Sequence, residues 1–201
     1  MTEKEFQACL EQKGETLAQI RGAAHALHAS VNQTYDQKHP YGYHLDMVAE
    51  GVRQYGYAVC AQEEDVLPLM FGAYYHDSIE DARLTYNDVR KEALQYMDEA
   101  QALMAAEIVY ALTNDKGRNR AERAGENYYR GIRETPYAPL VKLADRLANM
   151  TYSFTHSNEA NAHMKSVYRN ELPHFLEAIH AEGNDLRLSL PPDMLRTIKK
   201  L

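Results

Sequence analysis

Apolar residues recur at helical intervals along most of the chain, and no run shows the clean alternation with hairpin turn pairs that strands require. Phe6, Leu10, Leu17, Ile20, Ala24 and Leu27 form the first stripe, from Thr2 to about Ser30, with a break at Gly14 that allows one or two helices. Asn32 to Pro40 is polar and turn-like. Leu45, Val48, Ala49 and Val52 then mark a helix that opens at His44 and ends at Gly56. Asp65 is the expected cap of the next helix, which runs through Val66, Leu69, Met70 and Ala73 into His76-Asp77. After a connector capped by Thr85, short and long helices are predicted over Val89 to Met97 and Glu99 to Leu112. Thr113-Asn114-Asp115-Lys116-Gly117 breaks the period as a surface loop would. Pro136 and Pro139 introduce a helix with Leu140, Leu143, Ala144, Leu147 and Met150 on one buried face. A further helix is predicted from Glu159 to His180, interrupted or kinked at Pro173, before a weakly amphipathic tail punctuated by Gly183 and Pro191-Pro192. The pattern predicts an all-α fold in one domain spanning 1–201, with a core of about 30–180 and a tail at 183–201.

Charge changes this picture in one region only. The chain of 201 residues carries a formal charge of -7, which argues against nucleic-acid polymers and anionic membranes as partners. An anionic ligand therefore needs a local basic patch. Lys116, Arg118, Arg120, Arg123, Arg130, Arg133, Lys142 and Arg146 supply one, with Lys116 and Arg123 the preferred phosphate contacts. The competing reading is a solvated helix face paired with Glu122, Glu126 and Glu134. Cys9 and Cys60 form no close pair, and no apolar run spans a bilayer, so the expectation is a cytoplasmic protein.

The candidate chemistry centres on His76-Asp77-Ser78-Ile79-Glu80-Asp81. If this stretch is helical, His76 and Glu80 share a face with Asp77 and Asp81 beside them, a crowding of charge that a cation relieves. His44 and Asp145 lie at the ends or edges of other predicted helices and can complete a site, although spacing alone does not bring them together. Nitrogen and oxygen ligands with open positions suit hydrolytic Mn²⁺, Fe²⁺, Zn²⁺, Co²⁺ or Mg²⁺. Glu80 or Asp81 then positions water, takes its proton, or protonates a leaving group. The alternative for Asp145 is a salt bridge to Arg146 or Lys142, since a buried carboxylate needs some partner. His25, His28, His39, His156, His163, His174 and His180 lack a matching carboxylate arrangement and are read as surface or helix residues.

His44, His76-Asp77 and Asp145 in this order resemble the H…HD…D pattern of the HD-domain metal-dependent phosphohydrolases, an all-α family. His76 to Asp81 is similar to the HDxxED motif of its RelA/SpoT-type alarmone hydrolases, and Val141 to Met150 resembles their VKLADRLxNM segment. Pro40-Tyr41-Gly42-Tyr43-His44 resembles their PYxxH, and Leu112 to Lys116 a lysine-bearing segment of the small stand-alone members. The resemblance implies an HD-domain helical bundle that hydrolyses the 3′-pyrophosphate of guanosine tetra- or pentaphosphate (ppGpp, pppGpp), the alarmones of the stringent response, with one divalent metal, usually Mn²⁺. It implies His44, His76, Asp77 and Asp145 as metal ligands, Glu80 and Asp81 as the water-activating pair, and Asn149 and Tyr168 as nucleotide contacts. The basic pair expected before PYxxH is Tyr35-Asp36 here, with Lys38 nearby, and an expected arginine near Tyr168 is Met164 beside Lys165. Tyr35, Lys38 and Lys165 are the replacement substrate contacts. Two other readings remain open: a phosphomonoesterase acting on a nucleotide or nicotinamide-cofactor phosphate, and a non-catalytic nucleotide-binding regulator.

Overall fold

In the computed structural model, which describes residues 1–114, 118, 120–156 and 162–201, the chain is an all-α bundle. The helices are α1 (Glu3–Gln12), α2 (Gly14–Ser30), α3 (Gly42–Tyr55), α4 (Val66–Tyr75), α5 (Tyr86–Ala93) and α6 (Glu99–Leu112). They are followed by α7 (Arg120–Arg123), α8 (Glu126–Glu134), α9 (Ala138–Thr155), α10 (Ala162–Ala178) and α11 (Pro192–Ile198). Between α2 and α3 a two-residue antiparallel pair, β1 (Thr34–Tyr35) and β2 (His39–Pro40), folds the polar stretch into a small hairpin. No described helix is long and apolar enough to cross a membrane.

Local chemistry sets several helix starts. Thr2 with Glu5, Thr85 with Asp88, and Asp98 with Gln101 form capping boxes at α1, α5 and α6, each satisfying backbone donors that a helix start leaves open. The cap expected from Asp65 is not made: its buried carboxylate instead accepts the Tyr137 hydroxyl at 2.5 Å and the Gln62 amide at 3.1 Å. Burial makes a tertiary donor worth more to that carboxylate than a local backbone one. The short helix predicted over Val89 to Met97 starts and stops earlier, at Tyr86 and Ala93, because the Thr85 cap fixes its first turn.

Every residue of α4 is buried, so this helix is apolar all round and runs through the centre of the bundle against α2, α3 and α6. Gly72 lets α6 close in: a Cβ there would lie 2.5 Å from Cγ2 of Ile108. The α3 and α9 pair is close as well, though less so, since a Cβ on Gly51 would meet that of Ala144 at 3.3 Å. These approaches draw the start of α3, the end of α4 and the middle of α9 toward one point. Tyr137, at φ 68, turns the chain into α9 and is held there by its amide on the Arg187 carbonyl at 2.7 Å.

The tail is not peripheral to packing. Met194 and Ile198 of α11 are fully buried in the core cluster, and Thr197 bonds the Tyr55 hydroxyl at 3.0 Å. Helix α10 continues through Pro173 without ending there, while the predicted start of that helix at Glu159 lies outside the described residues, as do Asp115, Lys116 and Gly117 of the predicted surface loop.

Candidate metal centre

The helix that carries the central motif stops at Tyr75, so His76 to Asp81 is a series of turns rather than the helical turn expected from spacing. One helical-type bond survives within it, from the Asp81 amide to the Asp77 carbonyl at 2.8 Å. Neighbouring residues of a continuous helix do not face each other. Breaking the helix lets His76 and Asp77 turn to the same point, where Asp77 Oδ2 lies 2.9 Å from His76 Nε2.

His44 and Asp145 reach that point from α3 and α9. His44 Nε2 stands 3.3 Å from His76 Nε2, 3.4 Å from Asp145 Oδ1 and 3.8 Å from Asp77 Oδ2. Donor atoms of His44, His76 and Asp145 all lie within 4.8 Å of one another, a spacing that fits a divalent ion. Each ligand-type side chain is held from behind by a different device. His76 donates Nδ1–H to the Ala73 carbonyl at 2.9 Å, which directs Nε2 into the site. The His44 ring is stacked instead on Tyr35, with centroids 5.0 Å apart and planes 11° apart. Asp145 accepts Lys142 Nζ at 3.0 Å on one oxygen and Asn149 Nδ2 at 2.6 Å on the other, and Asp77 accepts the Tyr41 hydroxyl. The salt bridge weighed for Asp145 from sequence thus exists, to Lys142, alongside the convergence with both histidines.

The electrostatics of the cluster favour positive charge among its carboxylates. Burial disfavours the His76 imidazolium, but the adjoining Asp77 carboxylate overrides it and pushes the pKa up to about 9. Burial likewise opposes ionisation of Asp145, yet Lys142 and the histidines hold it well below the usual carboxylate range. Asp77 is also lowered, by His76 against burial. Protons on imidazole thus supply the positive charge that a metal would otherwise bring.

Glu80 and Asp81 sit at the edge of the cluster with separate partners. Glu80 Oε2 accepts Asn114 Nδ2 at 2.7 Å and Oε1 faces Arg123 at 3.8 Å. Asp81 accepts Gln33 Nε2 at 2.6 Å, and burial followed by the Asp77 charge raises its pKa. Glu80, Arg123, Lys142 and Arg146 line a cavity of about 570 Å³ between α8, α9 and α10, with Tyr128 and Phe175 among its walls.

The expected substrate contacts divide. Tyr35 is beside the centre, but its hydroxyl donates to Asn149 Oδ1 at 2.9 Å, and the Asn149 amide is occupied at both ends. Asp36 accepts the Tyr152 hydroxyl at 3.0 Å, and Lys38 is exposed on the hairpin, its amide closing the turn onto the Tyr35 carbonyl. Arg123 lines the cavity. Tyr168 lies under the Arg146 guanidinium at 5.0 Å, while Lys165 Nζ rests 4.6 Å over Phe154. Lys116 lies outside the described residues.

Sequence reasoning missed Tyr41, Gln33 and the ordering of Arg146 by Glu171 at 3.0 Å. Tyr41 had a signal, since it lies three residues before His44 in the same motif; Gln33 had none. Two histidines read as surface or helix residues do lie in α2, but each has a partner. His25 Nε2 lies 3.0 Å from Asp46 Oδ1, and His28 is fully buried beside Gln33, because the hairpin folds back over the end of α2.

The fold is similar to a solved structure of a metazoan ortholog of SpoT that hydrolyzes ppGpp and plays a role in starvation responses, with 20% identity over 92% of this chain and 97% of that one and a TM-score of 0.57. No protein-family profile matches this chain, and no curated protein matches it.

Proposed function

We propose that this chain is a metal-dependent nucleotide phosphohydrolase that releases pyrophosphate from the 3′ position of guanosine tetra- or pentaphosphate or a close relative. The observation that carries the reading is the convergence of His44, His76 and Asp145, with Asp77 Oδ2 2.9 Å from His76, next to a cavity lined by Glu80 and three cations. A similar fold in a structure described as hydrolysing ppGpp supports it.

In this reading His44, His76, Asp77 and Asp145 hold one divalent ion, Mn²⁺ by resemblance. When bound, such an ion supplies positive charge that polarises a phosphoryl oxygen and acidifies water. Glu80 takes a proton from water in this reading, its carboxylate held by the Asn114 amide. Asp81, whose pKa is raised by burial, is the better group to carry a proton to the leaving oxygen. Arg123 and Arg146 face the cavity and oppose the charge of a departing pyrophosphate, and Lys142 balances Asp145. Asn149 and Tyr168 flank the nucleoside side, as do Tyr35 and Lys38; Lys116, carried by resemblance, and Lys165, beside the replaced arginine, complete the substrate contacts. The protein is expected to work in the cytoplasm as one domain over 1–201.

The packing of Tyr35 on His44, with Asp36 turned to Tyr152, favours a second reading. A ring already stacked on His44 is less free to stack on guanine, and a carboxylate beside it repels phosphate, whereas a phosphomonoesterase on a nucleotide or nicotinamide-cofactor phosphate needs less of that side. A Mn²⁺-supplemented assay that separates pyrophosphate from orthophosphate release decides. Pyrophosphate from guanosine tetraphosphate is expected; orthophosphate from a monoester with no turnover of the tetraphosphate establishes the second reading. Tight nucleotide binding without product would leave a non-catalytic regulator.

A further inference from the structure

We propose that His28 and Gln33 are positioning residues for Asp81, a role resting on the proton-carrying part given to Asp81 above. His28, at the end of α2, is fully buried, and its Nδ1 lies 2.5 Å from Oε1 of Gln33. An amide oxygen only accepts, so Nδ1 carries the proton. That bond fixes which way the Gln33 amide faces. Its Nε2 is left pointing at Asp81 Oδ2, 2.6 Å away, whereas the flipped amide would set oxygen against oxygen. The opposite ring nitrogen of His28 is buried with no partner among the described residues, which leaves no acceptor for a proton on Nε2 and fits a neutral Nδ1–H tautomer. Burial lowers the His28 pKa in the same sense.

The other face of the same ring is used as well. Tyr41 stacks on His28 at 4.8 Å and 23°, and its hydroxyl donates to Asp77. One imidazole thereby backs both the residue that holds Asp81 and the residue that holds Asp77. A neutral amide bonded to Asp81 Oδ2 restricts the carboxylate without neutralising its charge. Gln33 and His28 hydrogen-bond to no metal ligand, so they act on the reaction through Asp81, whose orientation and ionisation are both affected by the Gln33 bond.

The test uses the full chain. In metal-free ¹⁵N-labelled protein, His28 is expected as the Nδ1-protonated tautomer, and Gln33→Met is expected to release it into a tautomer mixture. With Mn²⁺ and guanosine tetraphosphate, Gln33→Met and His28→Phe should each lower kcat about tenfold, the effect of losing a supporting partner, with KM and Mn²⁺ affinity held within about twofold. The double variant should lose no more than either single one, because both break the same chain of contacts. His28→Asn, whose amide can take the place of Nδ1–H, should recover part of the loss. An Nε2-protonated His28, additive losses, or wild-type kcat in Gln33→Met overturns the proposal. If the wild type turns over no phosphorylated nucleotide, the hydrolase reading fails, and the tautomer measurement alone then upholds or overturns the positioning arrangement.

Discussion

The floor of the centre and the cleft beside it hold their charges in opposite ways. On the floor, His44 and His76 are 2% and 3% exposed, and each is aimed by a stack or a backbone carbonyl. In the cleft, the Arg123 side chain is 46% exposed and meets Glu80 at 3.8 Å, a loose pair in solvent. Buried charges must be matched atom by atom, since an unmatched one is costly, whereas exposed ones are screened and move at little cost. The floor therefore suits a fixed ion, and the exposed Arg123 edge of the cleft suits a ligand that comes and goes.

The largest test of that contrast is removal of a floor ligand. Asp145→Ala or Asp77→Ala should abolish measurable Mn²⁺ binding by calorimetry, exceeding the roughly 100-fold that losing a supporting partner costs. Retained affinity would show that the cluster is not a metal site. Glu80→Gln should keep the metal and lower kcat about 10²- to 10⁴-fold, the span of general acid–base catalysis. Equal metal loss in Glu80→Gln and Asp77→Ala would erase the division between floor and edge.

The pH dependence of binding comes next in size. His76 must shed the proton that Asp77 stabilises before Nε2 can ligate, and its metal-free pKa is about 9. Apparent Mn²⁺ affinity should therefore rise close to tenfold per pH unit well below that pKa, roughly 50-fold from pH 7 to 9, and level off above. Competition titration reads this directly, and a flat profile would mean that His76 does not bind the ion. The smallest effect belongs to the cleft. Arg123→Ala should raise KM several-fold while shifting stability by at most about 1 kcal/mol, as expected for an exposed ion pair. A large drop in melting temperature would mean that the cleft is as rigidly built as the floor.

Much of the fold was legible because helical periodicity and capping are local. The boundaries of α6 match those predicted, Thr85 caps as expected, and the stripe of Leu140, Leu143 and Met150 is buried. The motif residues His44, His76, Asp77 and Asp145 were nameable because ligand chemistry restricts residue types. Asp65 was misread because its best partner, Tyr137, lies 72 residues away. Gln33 was invisible for the same reason, sitting 48 residues from Asp81 with no pattern to announce it.

By itself, then, the sequence determined the helices, their buried faces and the kinds of atoms offered at the centre. Periodicity and residue chemistry are properties of neighbours along the chain. Only the tertiary structure decided that the helix breaks at His76 so that adjacent side chains converge, that Tyr35 lies flat on His44, and that Gln33 reaches Asp81. Those outcomes depend on which helices approach closely enough to exclude water, and that is settled by packing at glycines such as Gly51 and Gly72, not by any local preference.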